Sequence, residues 1–197
     1  MKLRRTLIVL FVGLALAGTW LVAAAQEAKK EEAKKPEYTY VGVKNCKMCH
    51  SKEATGDQYK IWSESAHAKA YEVLASDESK AAAKKLGIDD PQKSDDCLKC
   101  HITAFPVKGD LENQKITLEE GVSCESCHGP GSGYKGLKVM KEAYAGTIKP
   151  ESVGLIMPDE KTCLHCHVAE GNPFHKEFKY DEYLKKIAHP VPKAEGK

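Results

Sequence analysis

Cys124-Glu125-Ser126-Cys127-His128 is one of four C-x-x-C-H pentads in this chain, and its reading decides the rest. The others are Cys46-Lys47-Met48-Cys49-His50, Cys97-Leu98-Lys99-Cys100-His101 and Cys163-Leu164-His165-Cys166-His167. Together they use all eight cysteines of the 197 residues. Two thiols spaced by two residues reach the two vinyl groups of one porphyrin as thioethers, and the histidine that follows binds iron on one face. Four pentads therefore imply four covalently attached c-type haems. Cys46, Cys49, Cys97, Cys100, Cys124, Cys127, Cys163 and Cys166 would hold the porphyrins, with His50, His101, His128 and His167 as proximal iron ligands. Zinc ribbons, iron–sulfur clusters and disulfide frameworks also pair cysteines, but none needs a histidine directly after the second one.

The N-terminus agrees with this reading. Lys2, Arg4 and Arg5 precede an apolar run from Leu7 to Ala25, and Ala23-Ala24-Ala25 offers a cleavage site before Gln26. Residues 1–25 therefore read as a secretory signal peptide or, if uncleaved, as an inner-membrane anchor. Export suits the cofactor, because c-type haem is attached outside the bacterial cytoplasm, and the expected location is the periplasm. Residues 26–36 hold no large apolar side chain and read as a charged, solvated linker closed by Pro36. Residues 37–197 then form a single tetrahaem domain. Without Lys2, Arg4 and Arg5 its acidic and basic side chains nearly balance. With no basic stripe carrying interleaved aromatics, nucleic acid is not an expected partner.

Four phenylalanines and two tryptophans make a thin conventional core. The porphyrins must supply much of the buried apolar surface, so the fold should depend on them. Helical periodicity runs through Ser51–Ala75 with Tyr59, Trp62, Ala66, Ala70, Tyr71 and Leu74 on one face. Ser76 caps a second run, Asp77–Leu86, stopped by Gly87. Residues 134–145 and Asp181–Ala188 read as further helices, and residues 102–120 as a loop or weak hairpin. The fold class is mainly α, a multihaem cytochrome c domain with long loops wrapped around four haems. The pentads are unevenly spaced, so no solenoid is indicated.

Four histidines remain for the opposite faces of the irons: His67, His189, His175 and His165. His67 has small neighbours that would let a porphyrin approach. His189 lies at a helix end before Pro190, and His175 projects from a loop after Pro173-Phe174. His165 lies inside its own pentad and is the weakest distal candidate, suited only to a neighbouring haem. Met140 is a conceivable ligand but reads better as core. An iron left without a distal side chain would bind water or substrate, and that separates a catalyst from a carrier.

The motifs Trp62-x-x-Ser65-Ala66-His67-Ala68-Lys69-Ala70, Asp96-Cys97-x-x-Cys100-His101 and Gly121-Val122-x-Cys124-Glu125-Ser126-Cys127-His128-Gly129-Pro130-Gly131 resemble the tetrahaem cytochrome c554 family. The resemblance covers most of residues 40–170. It implies a helical periplasmic fold with haems in close pairs, which accepts electrons from an oxidoreductase and passes them on. It also implies three bis-histidine haems and one five-coordinate iron, here the one on His101. The family's distal histidine shortly after Gly-Pro-Gly has no counterpart in residues 132–146, and His175 is the substitute candidate.

Two functions follow from these readings. One is electron carriage between periplasmic or membrane redox proteins. The other is a small reductase acting on nitric oxide, nitrite or hydroxylamine at a five-coordinate haem. Asp95, Asp96 and Tyr134 would be the nearby proton donors in the second case, though such side chains are usually just solvated.

Overall fold

A computed structural model describes residues 38–170, 172–189 and 191. The leader and linker expectations for residues 1–25 and 26–36 lie outside the described residues. Each of the first three pentads is a short helix that stops at its histidine: α1 (Val43–His50), α4 (Asp95–His101) and α5 (Cys124–His128). The fourth begins in α7 (Glu160–Leu164) and continues as a tight turn, in which the amides of Cys166 and His167 both donate to the Cys163 carbonyl. One helical turn aims both cysteines and the histidine to one side, which a planar macrocycle requires.

Between the pentads lie α2 (Gln58–Ser63), α3 (Asp77–Lys85), α6 (Leu137–Tyr144) and α8 (Tyr180–Ile187). The Ser76 hydroxyl accepts the Ser79 amide at 3.1 Å, so the cap read from sequence is made. Among the described residues there is no strand. Short 3₁₀ turns fill the connections.

One local expectation is corrected, and another is resolved in favour of its loop alternative. Ser51–Ala75 is not one helix: 3₁₀ turns at Glu53–Thr55 and Glu72–Ala75 flank α2, and irregular turns span 64–71. The break has a backbone cause, because Gly56 and Asp57 both take left-handed conformations. Beyond α2, the chain is held by Gly121-Val122 rather than by its own helix. The Trp62 indole donates to the Val122 carbonyl at 2.9 Å, and the Val122 amide donates to the His67 carbonyl at 3.0 Å. Residues 102–120 form no hairpin. They coil into 3₁₀ turns at Phe105–Asn113, kinked at Asp110, and Leu118–Glu120.

The protein's own core is small: Leu74, Leu98, Ile102, Ala104 and Ile116, with Tyr40, Tyr71, Phe105, Val107, Leu111 and Leu118 around them. It sits behind α4 and fixes the second pentad. Thr103 links that pentad to the third. Its amide and hydroxyl both donate to the Gly121 carbonyl at 2.8 and 3.0 Å, while its Oγ1 accepts the Ser123 amide at 2.7 Å. Helix α1 packs against both α2 and α5, which brings the first and third pentads side by side.

Candidate haem-binding site

Three of the four proximal histidines are oriented by carbonyl oxygens. His101 Nδ1 donates to the Ala70 carbonyl at 2.6 Å, and His128 Nδ1 to the Ile156 carbonyl at 3.0 Å. His50 Nδ1 lies 3.3 Å from the Gln58 side-chain oxygen. A proton held on Nδ1 by a carbonyl leaves the Nε2 lone pair free for a metal. The Ile156 amide returns a bond to the His128 carbonyl at 2.9 Å, which locks that pair from both ends. His167 is held differently, stacked on Phe178 with centroids 4.5 Å apart and planes 14° from parallel.

Two of the spare histidines face proximal ones. The rings of His67 and His167 lie 6.1 Å apart, and those of His128 and His189 lie 5.9 Å apart. Two imidazoles on opposite sides of one metal, each bonded at about 2 Å, have centroids about 6 Å apart. The donor set therefore fits a six-coordinate iron at both places. His189 Nδ1 is also buried and has no hydrogen-bond partner among the described residues. Burial favours the neutral form of all four rings, the form a ligand needs: it lowers the affinity of His67, His128, His167 and His189 for protons, and neighbouring histidines add to the effect.

The other two spare histidines face no proximal ring at such a distance. His175 is exposed on its loop, close to His167, to which His67 is already opposed. His165 is exposed and lines a cleft of about 340 Å³ with Lys99, Cys100, Phe105 and Cys166, which places it beside the second pentad. Met140 is half-buried on α6, and Tyr134 is buried with its hydroxyl donating to the Gly129 carbonyl at 2.6 Å. Asp95 pairs with Lys108 and Asp96 with Lys99 at the surface.

The cysteines meet across pentads. The Cys46 thiol neighbours that of Cys124, and the Cys166 thiol neighbours that of Cys100. Attachment points of the first and third pentads thus lie side by side, as do those of the second and fourth. Burial pushes the Cys127 thiol up to about 11 and, helped by Cys100, Cys166 up to about 12. No three His, Cys, Asp or Glu side chains among the described residues converge as a metal cage.

One residue had no role in the sequence reading. Glu125, between the two cysteines of the third pentad, is only 2% exposed. Its carboxylate accepts the amides of Val41 at 2.9 Å, Gly42 at 2.8 Å and Gly131 at 2.6 Å. An acidic residue inside a pentad carries no sequence signal of burial.

Residues 45–129 match the family model described as cytochrome c554 and c-prime. A cytochrome c-554 of Nitrosomonas europaea is 32% identical over 188 residues, covering 80% of this chain and 77% of the relative. The chain belongs to the cytochrome c554 family. The solved reduced state of cytochrome c554 from the same organism overlays with a TM-score of 0.52 at 28% identity, covering 81% of this chain and 92% of that one. As a member of the family the protein is a tetrahaem c-type cytochrome, mainly helical, that transfers electrons. No helix among the described residues is long and apolar enough to cross a membrane.

Proposed function

We propose that this cytochrome c554-family member is a periplasmic carrier, taking electrons from one exported or membrane-bound redox protein and delivering them to another. The observation that carries this reading is the adjacency of attachment points: Cys46 beside Cys124 and Cys100 beside Cys166. Attachment sites this close support a relay rather than four isolated centres. When bound, the haems supply one-electron chemistry, tuned by axial ligand, burial and hydrogen bonding.

The residues divide as follows. The eight cysteines anchor the porphyrins, and His50, His101, His128 and His167 bind the irons from the attachment side. His67 completes the iron of His167, and His189 that of His128, as the two ring separations support. The turn at 64–71 serves two sites, since it carries His67 and also presents the Ala70 carbonyl to His101. His175 and His165 are the remaining candidates for the irons of His50 and His101. The exported location rests on the leader-like residues 1–25.

The test combines fractionation with rapid kinetics. The full-length gene product should appear in the periplasmic fraction with four haems by mass, and a reduced partner should reduce it within milliseconds. Cytoplasmic retention without haem would overturn the reading. The family relationship favours a carrier over a small reductase of nitric oxide, nitrite or hydroxylamine.

A further inference from the structure

Glu125 is the most buried acidic side chain among the described residues, and no lysine or arginine there forms an ion pair with it. Its partners are backbone amides alone: Val41 and Gly42 ahead of the first pentad, and Gly131 after the third. A carboxylate that only accepts hydrogen bonds has the donor pattern of the ionised form. The pocket is shaped for it, since a Cβ on Gly131 would lie 3.0 Å from Glu125 Oε1 and 2.6 Å from Val41 Cγ2. A second carboxylate grips the same segment: Glu120 Oε2 accepts the Val43 amide at 2.9 Å, with burial and Glu125 raising its proton affinity and Lys44 opposing them. The Gly42 amide meets Glu125, while the Gly42 carbonyl faces Cys46 Sγ at 4.0 Å. Glu125 thus holds the amide of the residue whose carbonyl faces the sulfur of the first pentad, and Glu120 holds the other end of that carbonyl's peptide unit. Glu125 is also covalently next to Cys124 of the third pentad.

We propose that Glu125, seconded by Glu120, supplies a fixed negative field at the junction of the first and third pentads that lowers the reduction potentials of the two haems attached there. An added electron is disfavoured by a nearby unneutralised anion, most strongly where burial keeps water and salt away. The second and fourth pentads have only surface acids: Asp95 and Asp96 pair with Lys108 and Lys99, and Asp159 and Glu160 near Cys163 are exposed to screening water. The buried field therefore splits the four centres into a lower and a higher pair. That gives the relay a direction. Mere anchoring of residues 41–42 and 131 would not set a potential, so the two roles separate by experiment.

The inference rests on the pentads being haem sites, which haem counting checks independently. Holoprotein carrying Glu125→Gln, Glu125→Asp or Glu120→Gln would be titrated optically and by EPR under potential control. In E125Q, with four haems by mass, two of the four potentials should rise by at least tenfold in reduction equilibrium constant, about 59 mV for one electron. E125D, which keeps the charge, should restore them, and E120Q should shift the same two by less. Should E125Q fail to accumulate, E120Q decides, because Glu120 is less buried. Unchanged potentials in a four-haem variant would overturn the proposal, and fewer than four haems in the wild type would overturn the reading beneath it.

Discussion

At the residue scale the ligands separate into those with a ring opposite them and those without. His67 and His189 face His167 and His128 at spacings that suit one metal between each pair. His67→Ala should turn one of four haems from low-spin to high-spin, and His189→Ala a different one. The pairs share no ligand, so the double variant should give two high-spin haems, the sum of the single changes. EPR spin quantitation reads this directly, and an unaltered low-spin count in either variant would remove that histidine from the iron. His67 was picked out in the sequence by its small neighbours. Its partner was not, because His167 lies a hundred residues further on, and the Val122 amide that holds the His67 backbone belongs to a distant loop as well.

At the element scale, stability resides in caps and close approaches rather than in long helices. The Ser76 cap on α3 was legible because a hydroxyl before an alanine- and lysine-rich run has one obvious partner. Ser76→Ala should cost about 1 kcal/mol, seen as a lower urea midpoint with all haem spectra intact. Gly42 was not legible. It has φ +75°, and a Cβ there would lie 2.0 Å from the Lys115 carbonyl oxygen. Gly42→Ala should cost roughly 2 kcal/mol or more. Because α1 begins at the next residue, the loss should come with weakened packing of the first pentad against the third, measured as faster proteolysis there. A variant as stable as wild type would show that the segment shifts freely. The periodicity of Ser51–Ala75 misled for a related reason. Apolar spacing registers which side chains are inside, and here that spacing is met by turns pinned to Gly121-Val122.

For the whole molecule, pH should act through the buried imidazoles. His67, His128, His167 and His189 take up protons less readily in the folded state than their ordinary value of 6.5. The unfolded chain binds those protons as pH falls through 6.5 while the native protein resists. Their stabilising contribution is therefore complete above pH 6.5 and declines below it. Iron ligation deepens the effect, since a bound imidazole must leave the metal before it can be protonated. The denaturant midpoint should be lower at pH 5 than at pH 8, and an equal or higher midpoint at pH 5 would contradict this. The protein core, centred on Leu74, Leu98, Ile102, Ala104 and Ile116, is small for a chain of this length. Chain made without haem should consequently lack a cooperative thermal transition by circular dichroism, whereas holoprotein should show one.

The pentads settled the chemistry of this protein without any fold, because thioether attachment is a local property of five consecutive residues. Haem number and the four proximal histidines follow from that local fact, while the helical class came from the periodicity between the pentads. What only tertiary structure decided is which distant groups meet: His67 with His167, His189 with His128, Cys46 with Cys124, and the amides of Val41, Gly42 and Gly131 around Glu125. Those meetings depend on backbone hydrogen bonds between loops of no periodicity. A one-dimensional pattern encodes which face of an element is buried, and it does not encode which loop will supply the partner.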